Sequence, residues 1–560
     1  MKKYLLLFLL MLPLLGFGQI PNWQWAKNYG LYFNGGKQYT AVDNAGNVYL
    51  AGDFGTQNMI VDSTTLVNTT TNFADIYIIK FNSNGNVLWA KSIGGVDHEF
   101  LSGITTDTSG NFYISGSYTY SITLGTTTLT TLGSANFFAK YDSNGNAIWA
   151  KSDDQSSFGW GISDLKVDEF GNIYATGAYA MPQLVFNGIA VTYENYVTGE
   201  SNGGRIWTGK FDNSGNCIWL RSAQSSIVNL YGNHPNSIAV DKSGNVFIGG
   251  RFHNGTIIFG AIILTKTATY DYNSNMFLVK YNSSGIEQWG VNTGTVFSNL
   301  TYANTVCTDA NNNVFVSGFF PNTINFGPIT LNAGGGSKVY TAKFDPAGNV
   351  LWAKSVDAEV CGSTTNSSDV DANGNLYITG YTQCPLLNFG NGISLTMPSE
   401  GGLFVTKYNP DGNAVWARKS GGTNMNNAST IDCKNENEIF VAGTFFSPTL
   451  VLGNLTLTKT ATNYNLFIAK LNYTPPLSNE DFGDDSFSAY PNPVKTTLYF
   501  SNLEVPCNYS LYDISGKQIL KGTFQNENET MSTENLNLGV YLLRMENEKG
   551  EIEVKKIVKI

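Results

Sequence analysis

Charge is scarce in this 560-residue sequence: Asp, Glu, Lys and Arg make up 14% of it, against ~25% in ordinary globular proteins. What charge there is leans acidic, with 43 acidic and 33 basic side chains and a net charge of -10. That excludes the clustered cationic surface on which nucleic-acid binding rests. Histidine is rarer still, at three residues (His98, His234 and His253), and the six cysteines do not combine with them at zinc-ligand spacing. No Gly-x-Ser-x-Gly elbow and no phosphate loop occurs. Long apolar runs are missing too. Leu5 to Leu15, interrupted by Pro13, is too short to span a bilayer. What remains is 59 glycines, 13% aromatic residues and 42% hydrophobic residues, with many Thr and Asn. This describes a turn-rich all-β chain with enough apolar surface to fold.

The two ends differ from the middle. Met1-Lys-Lys3, the apolar run and Gly16-Phe-Gly18 read as a secretory signal peptide over residues 1–18. Two adjacent prolines and several acidic residues mark a linker over 474–486. Beyond it, over 487–560, short alternating strands are expected at 497–500, 508–513, 518–522, 540–546 and 552–557, punctuated by Gly516, Gly539 and Gly550. Their number and length predict a small Ig-like β-sandwich.

Four motifs in this tail carry a resemblance: Ala489-Tyr-Pro-Asn-Pro-Val494, Leu511-Tyr-Asp-Ile-Ser-Gly-Lys517, Leu536-Asn-Leu-Gly-Val-Tyr541 and Lys555-Lys-Ile-Val-Lys-Ile560. In that order they resemble the type A C-terminal sorting domain of the type IX secretion system. The resemblance implies passage across the outer membrane of a Bacteroidetes-type cell and removal of the tail by a surface sortase. It implies a sorting signal that includes Pro491, Asn492, Pro493, Gly516, Gly539 and Tyr541. Secretion machinery and sortase are then expected partners, and the cell surface or the medium the destination.

Between the ends, one segment recurs. It appears as Ala41-Val-Asp-Asn-Ala-Gly-Asn-Val-Tyr-Leu-Ala-Gly52, returns at Asp107, Asp168, Asp241, Asp309 and Asp371, and persists without its glycine around Lys434. A second segment alternates with it, as in Ile79-Lys-Phe-Asn-Ser-Asn-Gly-Asn-Val-Leu-Trp-Ala-Lys91. Asp capping a backbone N–H, followed by Gly and Asn, is turn chemistry, so each segment is a hairpin. Two hairpins per period make a four-stranded unit that must stack on copies of itself. A shorter element between them, such as 324–331 or 450–457, predicts a small extra hairpin.

The third strand occurs seven times, marked by Lys80, Lys140, Lys210, Lys280, Lys343, Lys407 and Lys470. The fourth follows only six of these, and its missing copy is Asn22-Trp-Gln-Trp-Ala-Lys27. The expectation is a seven-bladed β-propeller over 19–473 closed by its N-terminal strand. The repeats resemble the seven-bladed β-propeller repeat family, which implies a fold and a cell-surface setting but no reaction.

Chemistry is harder to place. Asp369-Val-Asp-Ala-Asn-Gly374 opens like a calcium loop, but position twelve is Gly380 where a bidentate Glu is required; an Asp-capped turn is the better reading. The repeated Trp residues are expected in inter-blade packing, and the repeated Lys in solvent or paired with turn Asp residues. No metal or cofactor is expected, and no catalytic residue is assigned. His98 and His234 read as exposed loop positions. The connections 94–101, 153–161, 193–205, 223–236, 292–302, 356–365 and 421–428 are long and irregular and share one face. Function concentrates on such loops, and Trp160, Tyr231, His234 and Tyr302 are its least repeat-like large side chains. They are the candidate ligand-binding residues.

A non-enzymatic binding or adhesion scaffold for a glycan or protein is the leading expectation; a polysaccharide-active hydrolase or lyase is the alternative. No membrane span is expected in the mature chain. Finally, Cys361 and Cys384 flank the hairpin centred near Asn373 almost symmetrically, which predicts a disulfide.

Overall fold

The computed structural model describes residues 20–473 and 487–560, except 32–35, 56–57, 71–72, 154–160, 195–203, 226–231, 254, 267–272, 294–299, 335, 359–360, 424–425, 462, 504, 514–516 and 548–551. The expected signal peptide (1–18) and the expected linker (474–486), with Trp160, Tyr231 and Gly516, lie outside these residues. The chain divides into two compact units, Met1–Tyr473 and Thr474–Ile560. Among the described residues every regular element is a strand, and the sheets are antiparallel.

In the first unit the repeated turn does what its chemistry dictates. Asp43 accepts the backbone N–H groups of Ala45 and Asn47 through Oδ1 at 3.0 and 2.9 Å, and the Asn47 amide through Oδ2 at 2.8 Å. Asp107, Asp168, Asp241, Asp309 and Asp371 accept the corresponding bonds. Asp371 thereby spends its carboxylate on its own turn. The seventh copy has a tighter turn, with Asn435 opposite Glu438.

The described strands of this unit form seven four-stranded sheets. Their innermost strands are Tyr39–Val42, Glu99–Thr106, Ile162–Val167, His234–Val240, Tyr302–Thr308, Ser363–Val370 and Asn426–Asn435. Each packs on the next, and the last returns to the first. The outermost strand of the seventh sheet is Asn22–Leu31, paired antiparallel with Tyr464–Asn472. Small two-stranded hairpins such as Thr323–Phe326 with Ile329–Asn332 lie between second and third strands. In the second sheet the extra hairpin is instead continuous with the sheet, as the long strands Phe112–Leu124 and Thr127–Tyr141.

The core lies between sheets, as separate apolar clusters. One joins Tyr49 and Ile78 to Phe112 and Phe137; another joins Phe440 and Ile468 to Val48, Tyr77 and the N-terminal Tyr29. The repeated Trp does more than pack. Its indole N–H reaches the turn between third and fourth strands of the following sheet: Trp89 to the Ser143 carbonyl at 3.3 Å, Trp219 to Ser283 at 3.2 Å, Trp352 to Pro410 at 3.0 Å. Gly285 and Gly412 sit beneath such indoles. Their φ values of 75° and 76° favour glycine, and a methyl on either would lie 2.7 or 2.6 Å from Trp219 or Trp352.

Of the two expectations for the repeated lysines, solvent or a turn Asp, the structure bears out the second for Lys80, Lys140 and Lys343. Lys80, Lys140, Lys280, Lys343, Lys407 and Lys470 are buried. Lys80 pairs with Asp43 at 3.2 Å and Lys343 with Asp309 at 3.1 Å. Several also donate to the same neighbouring turns, as Lys80 does to the Ser143 carbonyl at 3.1 Å. A buried ammonium needs this many partners, because desolvation would otherwise neutralise it.

Cys361 and Cys384 are joined by a disulfide, with Cα atoms 5.4 Å apart. In the second unit, Gln518–Phe524, Cys507–Asp513, Gly539–Asn547 and Ile552–Lys559 form one sheet, and Ser488–Tyr490, Thr497–Ser501 and Met531–Ser532 another. They enclose a core including Phe487, Leu498, Leu511 and Leu543. Asn492 clamps the last strand, donating to the Lys556 carbonyl at 2.6 Å and accepting from the Val558 N–H at 2.8 Å. Tyr541 is buried, with its hydroxyl on the Asn537 carbonyl at 2.9 Å.

Candidate functional site

Inner strands begin on the face of the variable connections and end at the repeated turns. From the second sheet to the seventh the inner strand carries a register shift near its beginning, where one residue bulges: Ser163, Asn236, Asn304, Asn366 and Ser429 are the bulged positions in sheets three to seven. A bulge turns a side chain out of the alternation of its strand. Here these residues line a cavity of about 680 Å³. Asn236 donates to the Ala303 carbonyl at 2.9 Å, Asn304 to Thr365 at 2.7 Å and Asn366 to Ala428 at 2.8 Å. Ser429 continues the series to Gln38 Oε1 at 2.9 Å. The amides thus stitch neighbouring inner strands while facing the opening.

Two of the sequence-predicted residues meet here. His234 and Tyr302 both line the cavity, with Lys37, Tyr39, Arg251 and Phe319. Arg251 pairs with His234 across strands, and its guanidinium lies 4.2 Å from the centre of the Tyr302 ring. Phe319 meets the same ring edge-on, with ring centres 4.8 Å apart. Lys37 lies 5.3 Å from the Tyr39 ring. His234 is the first residue of a strand and half-buried, rather than an exposed loop residue, and His253 is buried. Burial and the nearby Arg251 charge pull the His234 imidazole down to about 4, so it is neutral at pH 7.

Further along the axis, two positions before each turn residue, the inner strands present Ala41, Thr105, Lys166, Ala239, Cys307, Asp369 and Asp432. Three of these carry charge. Burial pushes the Asp432 carboxyl up to about 8, and Asp369 adds to the shift while Lys166 opposes it. Asp369 is also raised, by burial. Burial works against the Lys166 ammonium, but Asp164, Asp432 and Asp369 outweigh it. These groups act as a unit: a lysine beside two carboxyl groups whose burial favours the protonated form. Among the described residues no group of three or more His, Cys, Asp or Glu is arranged to hold a metal ion.

Sequence reasoning missed both Arg251 and this axial set. The signal was present. At a fixed offset from a repeated turn, most positions hold equivalent residues, whereas this one runs from Ala to Lys to Asp.

Residues 488–560 match the family profile described as secretion system C-terminal sorting domain. Over 448 residues the chain is 23% identical to the WD repeat-containing protein L264 of Acanthamoeba polyphaga mimivirus, covering 67% of this chain and 32% of that protein. The chain therefore spans about a third of the length of that relative. PorZ, an essential bacterial surface component of the type IX secretion system of Porphyromonas gingivalis, aligns at 11% identity and TM-score 0.22, over 93% of this chain and 75% of PorZ. The extracellular domain of the one-component system BT4673 of B. thetaiotaomicron aligns at 13% identity and TM-score 0.20, over 94% of this chain and 86% of that one.

Proposed function

We propose, for a chain that joins a propeller-like all-β unit to the sorting tail of type IX secretion, that the first unit is a ligand-binding scaffold displayed at the cell surface or released from it. The tail implies export by that machinery. In this reading the seven sheets are the blades of a propeller over 19–473, and the N-terminal strand closes it. Residues 474–486 link it to a sandwich of Ig-like build. The signal peptide, the sortase and the Bacteroidetes-type host belong to the same proposal.

The carrying observation is the cavity where His234, Arg251, Tyr302 and Phe319 meet the ring of bulged Asn and Ser side chains. Its volume falls in the ~300–1,000 Å³ range of small-ligand clefts, and its wall combines aromatic faces with a few placed polar groups. No carboxylate is among its described lining residues, which favours binding over hydrolysis at this mouth. The axial Lys166, Asp369 and Asp432 keep the hydrolase or lyase alternative specific, since carboxylates of shifted pKa serve as acid and base.

A glycan array and a polysaccharide-degradation screen on the full chain separate the two. Binding without turnover, lost in Tyr302→Ala, supports the scaffold. Turnover that disappears in Asp432→Asn establishes the alternative instead.

A further inference from the structure

Across the whole chain acidic residues outnumber basic ones, 43 to 33, yet the cavity at the variable face inverts this balance. Its described lining carries Lys37, Arg251 and neutral His234, and neither Asp nor Glu. Among the described residues neither Lys37 nor Arg251 forms a salt bridge, although eight other pairs do. Arg251 is instead held over Tyr302, which fixes the guanidinium plane without neutralising it. A guanidinium so placed is preorganised for a planar anion, because its N–H groups match the two oxygens of a carboxylate.

The rest of the wall asks for hydroxyl donors. Asn236 and Asn304 commit their amide N–H groups to neighbouring backbone carbonyls. That fixes which end of each amide is spent and leaves the carbonyl oxygens as acceptors at the opening. An amide oxygen offers two lone pairs, so these side chains form a set of acceptors around a half-aromatic pocket. A molecule that brings many O–H donors, an apolar ring face and a carboxylate complements all three features.

We infer that the cavity binds an acidic saccharide, its uronate carboxylate on Arg251 and Lys37 and its hydroxyls on the Asn236 and Asn304 oxygens. This rests on the binding reading above and goes one step further, to the class of ligand. An acidic peptide would satisfy the cations, but its backbone brings few hydroxyl donors for the amide oxygens.

The test titrates the full chain by calorimetry with tetragalacturonate, with its carboxyl-reduced galactose counterpart, and with a tetra-aspartate peptide. Tetragalacturonate should bind at least ~10-fold more tightly than the neutral tetramer, since a charge-assisted pair is roughly twice as strong as a neutral one. Its affinity should fall as salt rises. Arg251→Gln should abolish the preference. Lys37→Gln should weaken it several-fold, with folding checked by the melting temperature. Equal binding of both saccharides, still lost in Tyr302→Ala, overturns the acidic class while leaving the binding site in place. Tighter binding of the peptide overturns the saccharide. No binding of any probe above that of the Tyr302→Ala variant overturns both this inference and the reading it rests on.

Discussion

Removing Asn22–Leu31 from the full chain is the most demanding test of how the first unit holds together. This strand pairs with Tyr464–Asn472 along its length. It buries Trp23 and Tyr29, and it sends the Trp25 indole N–H to the Ser83 carbonyl of the first sheet at 3.1 Å. Truncating one buried aromatic costs about 3–5 kcal/mol, so the loss of Trp23 and Tyr29 alone is worth roughly 6–10 kcal/mol. Whole domains are stable by only about 5–15 kcal/mol. The deletion also strips Tyr464–Asn472 to a bare edge, which invites aggregation. Thermal unfolding of the deleted chain should therefore begin many degrees lower, with aggregation as its end point. A synthetic peptide of residues 20–31 should restore stability in trans, by about 2.7 kcal/mol at a hundredfold excess over its Kd. A deleted chain that melts like the parent and ignores the peptide would refute the reasoning.

Reducing the Cys361–Cys384 bridge, or replacing both cysteines with serine, should cost roughly 3 kcal/mol on the chain-entropy estimate for a sequence separation of 23; calorimetry with and without reductant reads it. Burial, with Asp75 adding, raises the Glu99 carboxyl to about 8, and burial raises Asp53 to about 7. Both favour the proton in the folded state, so the stability they contribute is complete below pH ~4 and is lost as pH rises through 7 to 8. Glu99→Gln should remove part of that slope and raise stability at pH 8 by at least ~1 kcal/mol, and a variant that melts with the parent's pH profile refutes the assignment. Gly412→Ala should cost clearly more than Gly188→Ala. Both have positive φ, 76° and 75°, but only a methyl on the first meets an indole, while a methyl built on the second finds nothing within 4 Å. Equal losses in melting temperature would show that the Trp contact is slack. A chain truncated before Tyr490 should stay in the periplasm of its host on fractionation; normal surface delivery removes the sorting role.

What could be read in advance depended on whether a residue's role is local. Asp43 and Gly46 act within five residues of one another, and turn chemistry identified them. The tail strands were foreseen to within a residue or two, except Ser488–Tyr490 and Met531–Ser532, whose short lengths carry no period. For Lys80 both solvent and a turn Asp were open: pairing with Asp43 was one of the two expectations, but its burial and its second partner, Ser143, 63 positions later, were not foreseen. No local pattern brings those three together. Tyr302 stood out by departing from the repeat, but Arg251 did not, since a cation on a second strand looks like any solvated charge. Only the ring closing on itself puts Arg251, Tyr302 and Lys37 around one opening. The axial Lys166, Asp369 and Asp432 were hidden in the same way, each innocuous in its own repeat.

One irregularity in the series of indole bonds reaches beyond the ring. Six tryptophans end on a backbone carbonyl in the next sheet's outer turn. The seventh sheet has no such turn, because its fourth strand comes from the other end of the chain. There Trp416 donates instead to the Tyr473 hydroxyl, and the Lys407 ammonium meets both that oxygen, at 3.5 Å, and the ring. Tyr473 thus stands in for a whole turn, on the last residue of the first unit. On the proposed reading, in which the tail is cut away after export, a cut at or before Tyr473 would spring the seam. A cut after it would leave the Trp416 and Lys407 contacts to Tyr473 whole.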